Sequence, residues 1–167
     1  MEFEFRYCCP LDLDAIVELE SIVVSRLERP DLLRNNGREG LESCLIEPHI
    51  TLGAYLGSRL VAVAILFVPT DSAEDLSVAI QHQELTLPSA NFKLCMVHPQ
   101  FRGNGLQCRM GRMLEEEARK KGIRMLCSTV SPFNPSSYKS LEKLGYHADC
   151  KLEKYGFERL LFVKKLV

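Results

Sequence analysis

The stretch from Phe92 to Lys121 constrains the fold more than any other part of the chain. Phe92 to Val97 reads as a strand that runs into a loop holding Gly103 and Gly105. An amphipathic segment from about Asn104 to Lys121 follows, with Leu106, Met110, Met113, Leu114 and Ala118 on one face and Gly122 as its stop. A strand leading straight into such a helix needs a sheet for the helix to cover. The rest of the chain supplies one. Phe3, Phe5 and Tyr7 alternate with polar residues as in a half-buried strand, and Ile16, Leu19, Val23 and Leu27 mark a helix after Pro10 and Asp12. Pro30 to Asn36 reads as a loop and Arg38 to Ile46 as a short helix stopped by Pro48.

Ile50 to Leu56 and Arg59 to Val68 form an expected hairpin around Gly57-Ser58. Between Thr70 and Ala90 the pattern weakens; Asp71, Ser72, Glu74 and Asp75 suggest a helix start, within an excursion able to shape a substrate pocket. Arg124 to Val130 is the next strand, Pro135 to Leu144 a helix closed by Gly145, and 146–154 with 158–166 a final strand pair around Tyr155-Gly156. This order predicts an α/β (α+β) fold, a mixed sheet with helices on both faces, as a single domain over residues 1–167.

Composition narrows the partners. The 167 residues are 46% hydrophobic and 26% charged with a formal net charge of −1, which argues against nucleic-acid binding driven by bulk charge. The longest apolar run, Leu60 to Pro69, is strand-sized and far short of the ~18 residues of a membrane span, so no membrane partner is expected. The first residues do not read as a secretory signal, and a cytoplasmic protein is expected. The seven cysteines include no CxxC pair, and Cys8 and Cys9 would point to opposite sides of a strand, so reduced thiols and no metal site are expected. His49, His82 and His147 show no ligand spacing and read as structural or surface residues.

The loop from Val97 to Leu106 has the geometry of an anion cradle. Closely spaced glycines let the backbone approach a ligand, unpaired N–H groups at the helix start can face phosphate oxygens, and the helix dipole favours negative charge there. Arg102 adds a fixed positive charge. The same spacing also suits a plain helix-entry turn with an exposed arginine. It is neither a Walker loop, lacking Gly-Lys-Ser/Thr, nor a dinucleotide fingerprint, lacking a third glycine at the required distance.

With Gln100, Gly103 and Gly105 in a Gln/Arg-x-x-Gly-x-Gly/Ala pattern, and Asn134, Ser137, Lys143, Gly145 and Tyr146 in a linked Asn-x-x-Ala/Ser and Lys-x-Gly-Phe/Tyr pattern, the chain resembles the GNAT superfamily of N-acetyltransferases. The two motifs cover residues 91 to 146, and the flanking elements fit the superfamily's order. The resemblance implies a mostly antiparallel sheet of six or seven strands with a splayed central pair ending at Val97 and near Val130, and acetyl-CoA as cosubstrate. Its pantetheine arm would lie between those strands, bonded by backbone near Cys95, Met96 and Val97. Its pyrophosphate would sit on Arg102, Gly103, Asn104, Gly105, Leu106 and Gln107, although Gln107 stands where a small residue is usual. Asn134, Ser137 and Tyr138 complete the implied cofactor-binding set.

Acetyl transfer to an amine needs a neutral amine, a stabilised oxyanion and a proton for the thiolate. Relatives place a tyrosine acid seven residues after the motif asparagine, where this chain has Leu141. Tyr138, three residues earlier on the same helix, is the substitute candidate, with packing as the competing role. His98 is the candidate base, with a solvent-facing loop position as the alternative. Glu84 and the cluster Asp71, Glu74 and Asp75 read as a solvated excursion rather than as catalytic groups, and Arg159 as an exposed strand arginine able to recognise a carboxylate. The leading functional expectation is acetylation of a primary amine on a small molecule, such as an amino acid, polyamine or aminoglycoside-like compound. The alternatives are a protein or peptide N-acetyltransferase, favoured by a long open groove between the loop at 30–37 and the last hairpin, and a catalytically silent acyl-CoA-binding module. A homodimer is compatible with the pattern.

Overall fold

In the computed structural model, which describes residues 1–80 and 87–166, the chain forms seven strands and four α-helices. In chain order these are β1 (Glu4–Tyr7), α1 (Leu13–Ser25), α2 (Gly37–Ser43), β2 (Ile50–Leu56), β3 (Arg59–Phe67), β4 (Ser89–Val97), α3 (Leu106–Lys120), β5 (Met125–Val130), α4 (Pro135–Lys143), β6 (His147–Lys154) and β7 (Phe157–Lys165). The sheet order is β1-β2-β3-β4-β5-β7-β6. Every adjacent pair is antiparallel except β4 and β5. No helix among the described residues is long and apolar enough to cross a membrane.

Alternation along the central strands sorts the core onto the two faces of the sheet. Ala62, Ala64 and Leu66 of β3 pack with Leu106, Met110 and Leu114 of α3 and with Leu141 and Leu144 of the α4 region. Val63, Ile65 and Phe67, together with Leu94 and Met96 of β4, pack with Ile16, Leu19 and Val23 of α1 and Leu41 of α2. Cys95 and Val97, the intervening β4 residues, join the α3 side. The sheet therefore separates an α3/α4 face from an α1/α2 face.

One irregularity breaks this wall. The parallel pairing of β4 with β5 consists of Ser89 with Met125, Ala90 with Leu126 and Asn91 with Cys127, and there it stops. Ser128 Oγ donates to the Phe92 carbonyl at 2.9 Å just past the last pair. Beyond it, the β5-facing N–H and C=O groups of β4 have no strand partner among the described residues, although backbone polar groups at the centre of a sheet are ordinarily paired.

Two expected elements are shorter than their sequence suggests. The helix expected at 38–46 ends at Ser43, where the Cys44 and Leu45 amides close a final turn onto the Leu41 and Glu42 carbonyls. The acidic segment expected to start a helix near residue 71 leads only to a 3-10 turn at Leu76–Ala79. Its acidic groups are spent on turns: Asp71 accepts from the Glu74 amide at 3.0 Å, and Asp75 accepts from the Ser77 amide at 2.9 Å and the Ser89 hydroxyl at 3.1 Å. Leu76 anchors the segment on Met125, Cys127, Leu161 and Val163. His82 and Glu84 lie outside the described residues.

Candidate active site

Where β4 and β5 part, a cleft of about 490 Å³ opens through the sheet. On the α3 side its mouth is the turn before that helix. Gly103 and Gly105 hold φ of +83° and +67°, conformations that side chains oppose, and a Cβ on either would meet nothing within 4 Å. Open space thus lies beside both glycines, at the first turn of a helix whose leading N–H groups lack intrahelical acceptors. Arg102, Leu106 and Gln107 line the same mouth. A pyrophosphate fits this donor set: backbone amides, a helix N-terminus and one guanidinium, with no side chain filling the cradle.

The expected site residues distribute as follows. Cys95, Met96, Val97, Arg102, Gly103, Gly105, Leu106, Gln107, Asn134 and Ser137 all line the cleft. Asn104 does not; its Nδ2 donates to the Phe101 carbonyl at 2.9 Å and braces the turn. Asn134 caps α4 by accepting from the Ser137 amide at 3.2 Å, and its Nδ2 reaches the Leu32 carbonyl at 3.3 Å. Tyr138 packs, partly buried, against the main core cluster and is not among the cleft-lining residues. Burial pushes the Cys95 thiol up to about 12, so it stays protonated and un-nucleophilic at neutral pH.

His98 is neither solvent-facing nor in the cleft. It is buried behind the turn, with Gln100 N–H 3.2 Å from Nδ1 and Arg59 Nη2 2.9 Å from Nε2. Both neighbours are donors, so an incoming proton would meet an opposing N–H at whichever ring nitrogen received it. Burial, followed by the charges of Arg59, Arg102 and Arg26, pulls its pKa below the ordinary histidine value. Such a ring is poorly suited to general-base work.

On the α1/α2 face the cleft ends at Arg159 and the loop that carries Asp31 and Arg34. Arg159, expected as an exposed strand arginine, is buried. Its Nε donates to Thr129 Oγ1 at 3.0 Å, Nη2 to the Thr129 carbonyl at 3.0 Å and Nη1 to the Asp31 carbonyl at 3.1 Å. Burial lowers its pKa from the usual arginine value, against the raising effects of Tyr155 and Asp31. Asp31 is also buried; burial pushes its pKa up, but hydrogen bonds from Arg29 Nε at 2.9 Å and Ser131 Oγ at 3.0 Å outweigh this and hold the carboxyl below the usual range. Arg34 stacks over the Tyr155 ring, its guanidinium carbon 4.0 Å from the centroid. Glu20, buried on α1, fixes the loop behind Arg34 by accepting from the Asn36 and Gly37 amides at 3.1 and 3.0 Å.

Fold and cleft together define a class: a mixed sheet parted between two parallel strands, with a phosphate-fitting cradle on one face and a second group of polar residues on the other. The Acetyltransferase (GNAT) family model matches residues 19–146, and the chain belongs to that family of acetyl-CoA-dependent N-acetyltransferases. No curated protein matches it at the sequence level. Solved structures share its fold at low identity. The ribosomal-protein-S18-alanine N-acetyltransferase from Escherichia coli is 17% identical with a TM-score of 0.73, covering 98% of this chain and 94% of that one. yncA from Salmonella typhimurium, solved with its cofactor acetyl-CoA, is 16% identical with a TM-score of 0.73, covering 99% and 94%. The PaiA N-acetyltransferase from Thermoplasma acidophilum, in complex with coenzyme A, is 15% identical with a TM-score of 0.71, covering 99% and 100%.

Proposed function

We propose that the chain acetylates a primary amine of a small molecule, with the donor held on the α3 face and the acceptor on the α1/α2 face. The observation that carries this reading is the parting of β4 and β5 over the Gly103–Gly105 cradle, which connects the two faces at one point. Bound acetyl-CoA supplies a thioester whose acetyl group passes to a neutral amine as a C–N bond forms and the C–S bond breaks, the proton lost by nitrogen ending on sulfur.

The chain's own residues divide the remaining work. Arg102, the amides after Gly103 and the start of α3 would hold the pyrophosphate. Unpaired backbone groups of β4 around Cys95 to Val97 would align the arm, since their strand partners end at Asn91. Burial holds the Cys95 thiol in its protonated form, which weighs against an acyl intermediate on that residue and favours direct transfer. With His98 and Tyr138 outside the lining, solvent water would relay the amine proton to the leaving sulfur.

A small acceptor is favoured over a polypeptide because the acceptor end is bridged. The loop and the last hairpin, which an open groove would keep apart, are joined by the Arg34–Tyr155 stack and by the Arg159 bond to the Asp31 carbonyl. Ser131 and Asn134 tie the same loop to the end of β5 and to α4. Coenzyme A thiol release over a panel of small amines and of peptides tests this. Turnover of small amines is expected, and turnover confined to peptides or protein N-termini contradicts it.

A further inference from the structure

Resting on that reading, we propose that the acceptor is an aminocarboxylate, an amine bearing a carboxylate as an amino acid does, and that Arg34 binds the carboxylate. The charge of the cleft is the first observation. Among the described residues its lining includes Arg34, Lys93, Arg102, Lys143 and Arg159, and no aspartate or glutamate. Arg102 and Lys143 lie toward α3 and α4, where a pyrophosphate is accommodated. Arg34 and Arg159 stand at the other end, with Lys93 on β4, and have no phosphate to answer. A polyamine or an aminoglycoside-like polycation would meet like charge along this path, whereas an acceptor with its own anion would be drawn in.

The second observation separates the two arginines. Arg159 is committed to the fold through Thr129 and Asp31. Arg34 is not: its Nη1 is shielded from solvent and has no hydrogen-bond partner among the described residues. A buried donor on a charged group is costly to leave unpaired, and a guanidinium fork fits a carboxylate. Two carboxylates of the surrounding segments are already engaged, Asp31 by Arg29 and Ser131 and Glu20 by the Asn36 and Gly37 amides. Stacking on Tyr155 holds the Arg34 plane in place without using its N–H groups.

The third observation is space. Leu33, Arg34, Tyr155 and Arg159 also wall a side cavity of about 280 Å³, which Pro30, Asp31, Asn35 and Phe157 complete. An acceptor gripped at Arg34 therefore has room for a side group beside the cleft. The same cations favour the reactive form of the acceptor, because neighbouring positive charge lowers the pKa of an ammonium group. That effect supplies neutral amine where no lining carboxylate or imidazole is placed to take its proton.

The test uses the intact protein with acetyl-CoA and the twenty standard amino acids, each compared with its carboxamide, in a thiol-release assay. Calorimetry of acetyl-CoA binding runs alongside. The expected result is a kcat/KM at least about tenfold higher for one or more amino acids than for the matching amides, as loss of one charged contact implies. Arg34→Gln should abolish that preference through KM while leaving acetyl-CoA affinity unchanged, and Arg34→Lys should restore part of it. Equal turnover of acids and amides, turnover only of amines lacking a carboxylate, or a preference that survives Arg34→Gln would overturn the proposal while leaving small-amine transfer intact. A protein that binds acetyl-CoA yet releases thiol with no small amine would overturn both.

Discussion

Arg34 and Arg159 sit side by side at one end of the cleft, yet different work follows from their bonding. Arg159 donates three hydrogen bonds that join β7 to β5 and to the Asp31 loop, two of them to backbone carbonyls. Arg159→Leu should therefore lower stability by about 3 kcal/mol in denaturant unfolding, whereas Arg34→Gln should leave stability nearly unchanged. Equal losses would mean that Arg34 is part of the scaffold. His98 carries a pH signature. Its folded pKa lies below the usual value, so the unfolded chain takes up a proton first as pH falls, and stability is present above about pH 6.5 and lost below it. His98→Asn keeps an acceptor for the Gln100 amide but cannot titrate. The variant should lose less stability than the parent between pH 7.5 and 5.5 in parallel urea titrations; identical losses would show that another group sets the dependence.

At the scale of elements, α3 is the piece that presents the cradle, and its seating depends on Glu115. That side chain is buried and binds Arg119 one turn along and Lys164 of β7, both at 2.6 Å, while Lys164 also donates to the Leu144 carbonyl at the end of α4. Removing the acid would strand a largely buried ammonium, so Glu115→Ala should cost about 3 kcal/mol in a thermal or denaturant melt; a loss no larger than that of an exposed pair such as Lys151 with Glu158 would show that the contact is surface-like. The elements themselves were largely legible in sequence. Period-2 and period-3.6 patterns, Gly57, Gly122 and Gly145 as stops and the Gly103–Gly105 pair locate nearly every strand and helix within a few residues. The failures have local causes. Acidic residues at 71–75 look the same whether they start a helix or cap turns, and Leu41 to Ile46 keeps helical periodicity past the point where the chain turns away.

At the scale of the molecule, function rests on a sheet that serves as a partition with one opening. The glycine cradle proposed for the cofactor was legible in sequence because it is local: strand, glycines and helix follow one another within a few residues. The proposed acceptor end was less so, because it is assembled from contacts between distant segments. Asp31 meets Ser131 across 100 positions and Arg159 across 128, and neither Arg34 nor Asp31 belongs to any motif. The signals in sequence were the polar loop at 30–37, the last hairpin and an arginine at 159 able to recognise a carboxylate; the burial of Arg159 depends on which loop folds over β7. Tyr138 and His98 fit by residue type and spacing, but neither is among the residues that line the cleft, and His98 is held between Arg59 and the Gln100 amide.

The most direct test of the account is acetyl-CoA binding by calorimetry to the intact protein and to Gly103→Glu. The substituted residue places a carboxylate, on a backbone with φ of +83°, where the cradle is open. Saturable binding by the intact protein, lost in a variant that still unfolds cooperatively, is the predicted result. Unchanged affinity in the folded variant, or no binding by the intact protein, would contradict the assignment of this cleft to acetyl transfer.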